Sequence, residues 1–100
     1  MTLKVEFSLA ADDDLRAIYH WIADAETAVI YLRRIRAHCD QLADFPNRGT
    51  PHDDLSPGLR TLSFERRATI AYVVEPEMVR ILRVLHKGRD MDRRLRTQAD

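Results

Sequence analysis

Apolar and polar positions alternate at the start of the chain and then change to a helical spacing. Leu3, Val5 and Phe7 lie on one side of a period-two run with Lys4 and Glu6 on the other, which predicts a short strand. Ser8 then precedes Leu-Ala-Ala and the acids Asp12, Asp13 and Asp14. A serine hydroxyl can accept from free helix N–H groups, and acids oppose the positive end of the helix dipole, so a helix begins here. Leu15, Ile18, Tyr19 and Ile22 follow at i, i+3, i+4 and i+7, with Trp21 flanking the stripe. The pattern pauses near Asp24, a second candidate N-cap, although one uninterrupted helix is equally compatible with propensity. Ala28, Leu32, Ile35, Cys39 and Leu42 form the next stripe, Tyr31 widens it, and Arg33, Arg34 and Arg36 take the polar side. Two amphipathic helices joined this tightly make a helical hairpin, which Phe45-Pro46-Asn47-Arg48-Gly49 ends.

Residues 46–58 carry Pro46, Gly49, Pro51, Pro57 and Gly58 and read as one long irregular loop. Three strand-like runs follow, over 60–64, 68–74 and 78–86, separated by connectors short enough for antiparallel hairpins. Ile70, Tyr72 and Val74 occupy one face of the middle run and Ala71 and Val73 the other, and a strand apolar on both faces belongs at the centre of a sheet. Strict alternation along the last run places Arg80 and Arg83 on opposite faces. Gly88 breaks that run, and residues 90–97 suit a short basic helix. The predicted fold is α+β, in the order β-α-α-β-β-β, with the hairpin packed on a small antiparallel sheet. One hundred residues make one domain, spanning 1–100.

Composition narrows the function classes. Sixteen basic residues balance sixteen acidic ones, and 45% of the chain is hydrophobic, as in a folded globular protein. With histidine counted as neutral, no uncharged run exceeds seven residues, whereas a membrane-spanning helix needs about twenty apolar ones. The charged, alternating N-terminus lacks the apolar stretch of a secretory signal, so a cytoplasmic location is expected. Cys39 is the only cysteine, which forbids an internal disulfide, and it reads as a small core residue. The neutral total hides an asymmetry: residues 80–96 contain seven basic side chains against Asp90 and Asp92. Such a segment suits an acidic protein partner or nucleic acid, or simply a solvated helix.

Candidate chemistry is sparse. The isolated glycines build no phosphate-binding loop, and His52-Asp53-Asp54 is the only dense set of metal-ligand types. Contiguous loop residues rarely converge on one ion, so turn and cap roles are expected for them, and neither a metal nor a cofactor is predicted. His20 and His38 lie on the helices and are expected to pack or face solvent. Arg60, Arg83 and His86, followed by Lys87 and Arg89, form the most suggestive group. Guanidinium groups can stabilise charge developing on a phosphate while imidazole moves a proton near neutral pH, which is the chemistry of phosphodiester cleavage.

Several spaced motifs together resemble a known family. They are Ser8-x-x-Ala11-x-x-Asp14-Leu15-x-x-Ile18, Leu42-Ala43-x-Phe45-Pro46-x-x-Gly49, Asp54-Leu55-x-Pro57-Gly58-Leu59-Arg60, Ile70-x-Tyr72 and Ile81-Leu82-Arg83-Val84-Leu85-His86-x-x-Arg89-Asp90. In this order, over nearly the whole chain, they resemble the ParE branch of the ParE/RelE toxin superfamily. The resemblance implies a toxin of a bacterial type II toxin–antitoxin pair, neutralised by direct binding of a ParD-like antitoxin. ParE-like members are described as poisons of DNA gyrase, and RelE-like relatives as nucleases that cut messenger RNA on the ribosome. Where the nucleases often carry Tyr-Arg near the C-terminus, this chain has Asp92-Arg93, a carboxylate that would repel RNA phosphate.

The expectation is therefore a toxin that binds gyrase without catalysis, contacting it through Arg89, Arg93, Arg94 and Arg96. The alternative is a ribosome-dependent endoribonuclease using His86 with Arg60 and Arg83. Tyr19, Trp21 and Tyr31 are the candidate antitoxin anchors, because large aromatic side chains dominate interface energetics. For Tyr31 a place in the core of the hairpin is the competing expectation.

Overall fold

The computed structural model describes residues 3–86. Strand β1 (Lys4–Phe7) leads into helix α1 (Leu9–Trp21), helix α2 (Ala25–Asp40) and a short 3-10 turn (Gln41–Ala43). Strands β2 (Thr50–Pro51), β3 (Arg60–Phe64), β4 (Ala68–Val74) and β5 (Met78–His86) complete the described chain. Both predicted caps form: Ser8 Oγ accepts from Ala11 N at 3.0 Å and Asp24 Oδ2 from Thr27 N at 2.8 Å. The second cap settles the question left open by propensity, because Ile22 and Asp24 adopt extended backbone and divide the helices.

The sheet order is β1-β5-β4-β3-β2, so the doubly apolar β4 is central as expected. Two features differ from the sequence-based picture. The sheet is mixed rather than antiparallel, because β1 runs parallel to β5, with Lys4 opposite Met78 and Phe7 opposite Ile81. Residues Thr50 and Pro51 also leave the expected loop to form a two-residue edge strand on β3, a place where proline's missing N–H costs no ladder bond.

A register shift in the β4–β5 ladder supplies a third difference. Ala71 pairs with Arg83 and Tyr72 with Ile81, so Leu82 is the extra residue of a bulge. Beyond it the alternation resets, and Arg83 returns to the face that carries Arg80 instead of opposing it. The helices cover the other face, where Ala11, Leu15 and Ile35 close over Ile70, Tyr72 and Ile81. A smaller cluster of Leu59, Ala71 and Leu85 seals the far face beneath the 52–58 loop.

Candidate functional site

Two polar joints fasten the helices and the loop to the sheet, and they take up Ser8, Asp14, Pro46, Gly49, Arg60, Tyr72 and Arg83 of the sequence motifs. At the first, β1 ends before β5 does, which leaves part of the β5 edge without a strand partner. Ser8 Oγ donates to Leu82 O at 2.8 Å, and the Asp14 carboxylate accepts from Val84 N at 2.9 Å, so α1 satisfies this edge. The same carboxylate receives Arg83 Nε at 2.7 Å and Nη2 at 2.8 Å in a bidentate pair, with both side chains about 15% exposed. The bond from Asp14 raises the Arg83 pKa above the ordinary arginine value. Asp14 is thus a strand-edge clamp rather than a helix-dipole acid.

At the second joint, Tyr72 is fully buried on the helix face, and its hydroxyl donates to Pro46 O and accepts from Gly49 N, both at 2.8 Å. Gly49 has no room for a side chain there, since a Cβ would lie 2.7 Å from both Thr61 O and the Tyr72 hydroxyl. Arg60, opposite Tyr72 in the ladder, sends Nη1 to Gly49 O at 2.7 Å and Asn47 O at 3.1 Å. The loop motif is therefore a folded strap. Asp53 Oδ1 accepts from Gly58 N within the loop, the turn role expected of it, whereas His52 Nε2 ties the loop to Thr61 Oγ1 on β3, each at 2.8 Å.

The predicted basic group does not assemble. Arg60 sits opposite Tyr72 at one end of the β3–β4 ladder, whereas His86 pairs with Ala68 at the other, about 13 Å away along the strands. Arg83 lies between them on the opposite face, held by Asp14. Antiparallel pairing joins these strands but separates the three side chains. Lys87, Arg89, Arg93, Arg94 and Arg96, together with the expected basic helix, lie outside the described residues.

The aromatic candidates also divide. Tyr31 is 5% exposed and belongs to the core, stacked obliquely on Phe64. Trp21 is 71% exposed and lies against the His86 ring at 4.7 Å between centroids, while Tyr19, partly exposed, meets His20 edge-on. Sequence reasoning marked Tyr72, Gly49, Asp14 and Arg83 in its motifs but missed the Tyr72–Gly49 bond and the pairing of Asp14 with Arg83. The signal for the last was present: an arginine inside an apolar strand needs a carboxylate, and the acidic first half of α1 had three to offer.

The family model for the ParE toxin of the type II toxin–antitoxin system parDE matches residues 5–91. The chain belongs to the ParE toxin family. Toxin ParE1 of Mycobacterium tuberculosis, from two strains, is 31% identical over 98 residues, covering 95% of this chain and all of the relative. Among solved structures, the chromosomal ParDE toxin–antitoxin system of P. aeruginosa superposes with a TM-score of 0.71 at 26% identity, over 85% of this chain and 96% of that one. The RelBE2 toxin–antitoxin complex of M. tuberculosis superposes at 0.64 with 21% identity, over 87% and 100% of the two chains, and shares the fold.

Proposed function

We propose that this ParE-family toxin inhibits DNA gyrase by non-catalytic binding and is neutralised by a ParD-like antitoxin bound directly to it. The observation that carries the binding reading is the engagement of the basic side chains a nuclease would need. Arg83 is held by Asp14, Arg60 by two loop carbonyls, and His86 lies under Trp21 at the far end of the sheet from Arg60. General acid–base chemistry on a phosphodiester needs such groups within hydrogen-bond reach of one reacting centre. The family match and the likeness to the P. aeruginosa ParDE structure support the antitoxin partner. Arg89, Arg93, Arg94 and Arg96 remain the proposed target contacts, with Trp21 and Tyr19 the accessible aromatic anchors for antitoxin.

The test is a supercoiling reaction with purified gyrase, relaxed plasmid and ATP. Lost supercoiling with accumulated cleaved DNA, reversed by antitoxin, supports the proposal. Unaffected gyrase together with messenger cleavage on translating ribosomes, abolished by His86→Ala, establishes the nuclease alternative instead.

A further inference from the structure

Between the α1–α2 connection, the β3–β4 turn and the end of β5 lies a half-open groove of about 390 Å³. Trp21, Ile30, Tyr31 and His86 line it, with Arg34 and Arg67 at its rim. Two of its apolar side chains are open to solvent, Trp21 at 71% and Ile30 at 47%. The Tyr31 ring lines its inner side, and the residue is 5% exposed.

The charges at the rim do not cancel. Arg34 is taken up by Glu65 through two bonds, of 2.7 and 2.9 Å. Arg67 forms no ion pair among the described residues and is the surplus cation. The turn that presents both Glu65 and Arg67 is a tight hairpin closed by Arg67 N on Phe64 O at 3.0 Å, with Glu65 (φ 49°) and Arg66 (φ 58°) in the left-handed conformation such a turn requires.

We propose that this groove docks an acidic segment of a partner protein, which inserts one bulky apolar side chain against Trp21 and Ile30 and sets a carboxylate on Arg67. Nucleic acid is the other class that aromatic rings beside arginines attract. It fits less well, because the Trp21 ring already lies against His86 and the Tyr31 ring is buried, which leaves few aromatic faces free for bases to stack on. The inference rests on the antitoxin reading for the identity of the partner, and it adds the place and chemistry of docking.

Trp21 is the only tryptophan in the chain and therefore reports on the groove directly. The probe is a short blocked peptide of glutamate and leucine with one phenylalanine, titrated at low salt while Trp21 emission is followed. Saturable binding is expected, weakened about tenfold or more by Arg67→Glu, lost in Ile30→Glu and largely kept by Arg67→Lys, with circular dichroism confirming that each variant folds. No saturable change overturns the proposal. So does equal or tighter binding of the lysine-for-glutamate peptide or of oligothymidylate, or indifference to Arg67→Glu. The antitoxin reading fails separately. An antitoxin that relieves gyrase inhibition yet leaves Trp21 emission unchanged and tolerates Arg67→Glu overturns the groove assignment alone, whereas failure of any antitoxin to bind overturns that reading.

Discussion

Replacing Asp14 by alanine tests the joint between α1 and β5. The substitution removes the acceptor of three hydrogen bonds, from Arg83 Nε, Arg83 Nη2 and Val84 N, at 2.7–2.9 Å. It leaves a guanidinium that is only about 15% exposed without its carboxylate. Breaking a buried pair by removing one partner costs about 3–5 kcal/mol, because the remaining charge stays desolvated. The orphaned strand N–H adds about 1 kcal/mol. Against a total stability of about 5–15 kcal/mol for an ordinary domain, the variant should be marginal. The expected fall in Tm is on the order of 15 °C or more, at about 4–8 °C per kcal/mol for a domain of this size. Thermal unfolding followed by circular dichroism measures the Tm, and urea denaturation the free energy, with an unchanged slope certifying that Cm reports stability. The companion variant Asp14→Leu/Arg83→Met removes both charges and should recover most of the loss, remaining about 1 kcal/mol below the natural chain for the unpaired Val84 N–H. A single-variant cost under about 1 kcal/mol, or a double variant as weak as the single, would refute the reasoning.

The loop strap makes the next test. Tyr72→Phe strands Pro46 O and Gly49 N and should cost about 2 kcal/mol, and Gly49→Ala about 1–3 kcal/mol. Combined, the two should cost less than their sum, because loss of the hydroxyl clears part of the space the new methyl group needs. Arg66→Gly relieves a left-handed residue and should raise stability by about 1 kcal/mol in the same urea assay. His38 gives a pH signature. Burial, and then the charge of Arg48, lower its pKa, so the unfolded chain takes up this proton at a higher pH than the folded chain does. Stability from this group is therefore complete above about pH 6.5 and declines as pH falls toward the lower folded value. His38→Gln should flatten the Cm profile in that acidic window, and an unchanged profile would count against the assignment.

Much of this fold was legible because its signals are local. The three strands of the meander occupy the predicted spans, and Ser8 and Asp24 cap the helices through bonds their residue types anticipate. The parallel pairing of β1 with β5 was not legible, since it joins opposite ends of the chain and no turn residue encodes it. The bulge at Leu82 was hidden for a related reason. Its cause lies in cross-strand register, and its effect is to bring Arg83 onto the face of Arg80. At the candidate site, basic residues on strands suggested shared chemistry, yet Arg60 and Arg83 each solve a structural problem instead. The groove residues Ile30 and Arg67 gave no signal at all, because an apolar helix position and a turn arginine are ordinary until the fold places them side by side.

Titration of the toxin against a fixed amount of gyrase, using the natural chain and His86→Ala in parallel supercoiling reactions, tests the central claim most directly. A binding toxin should inhibit in proportion to the gyrase present, saturating near equal amounts, and His86→Ala should inhibit as strongly. Intact supercoiling at saturating toxin, with messenger cleavage on ribosomes turning over at trace toxin and vanishing in His86→Ala, would contradict the account.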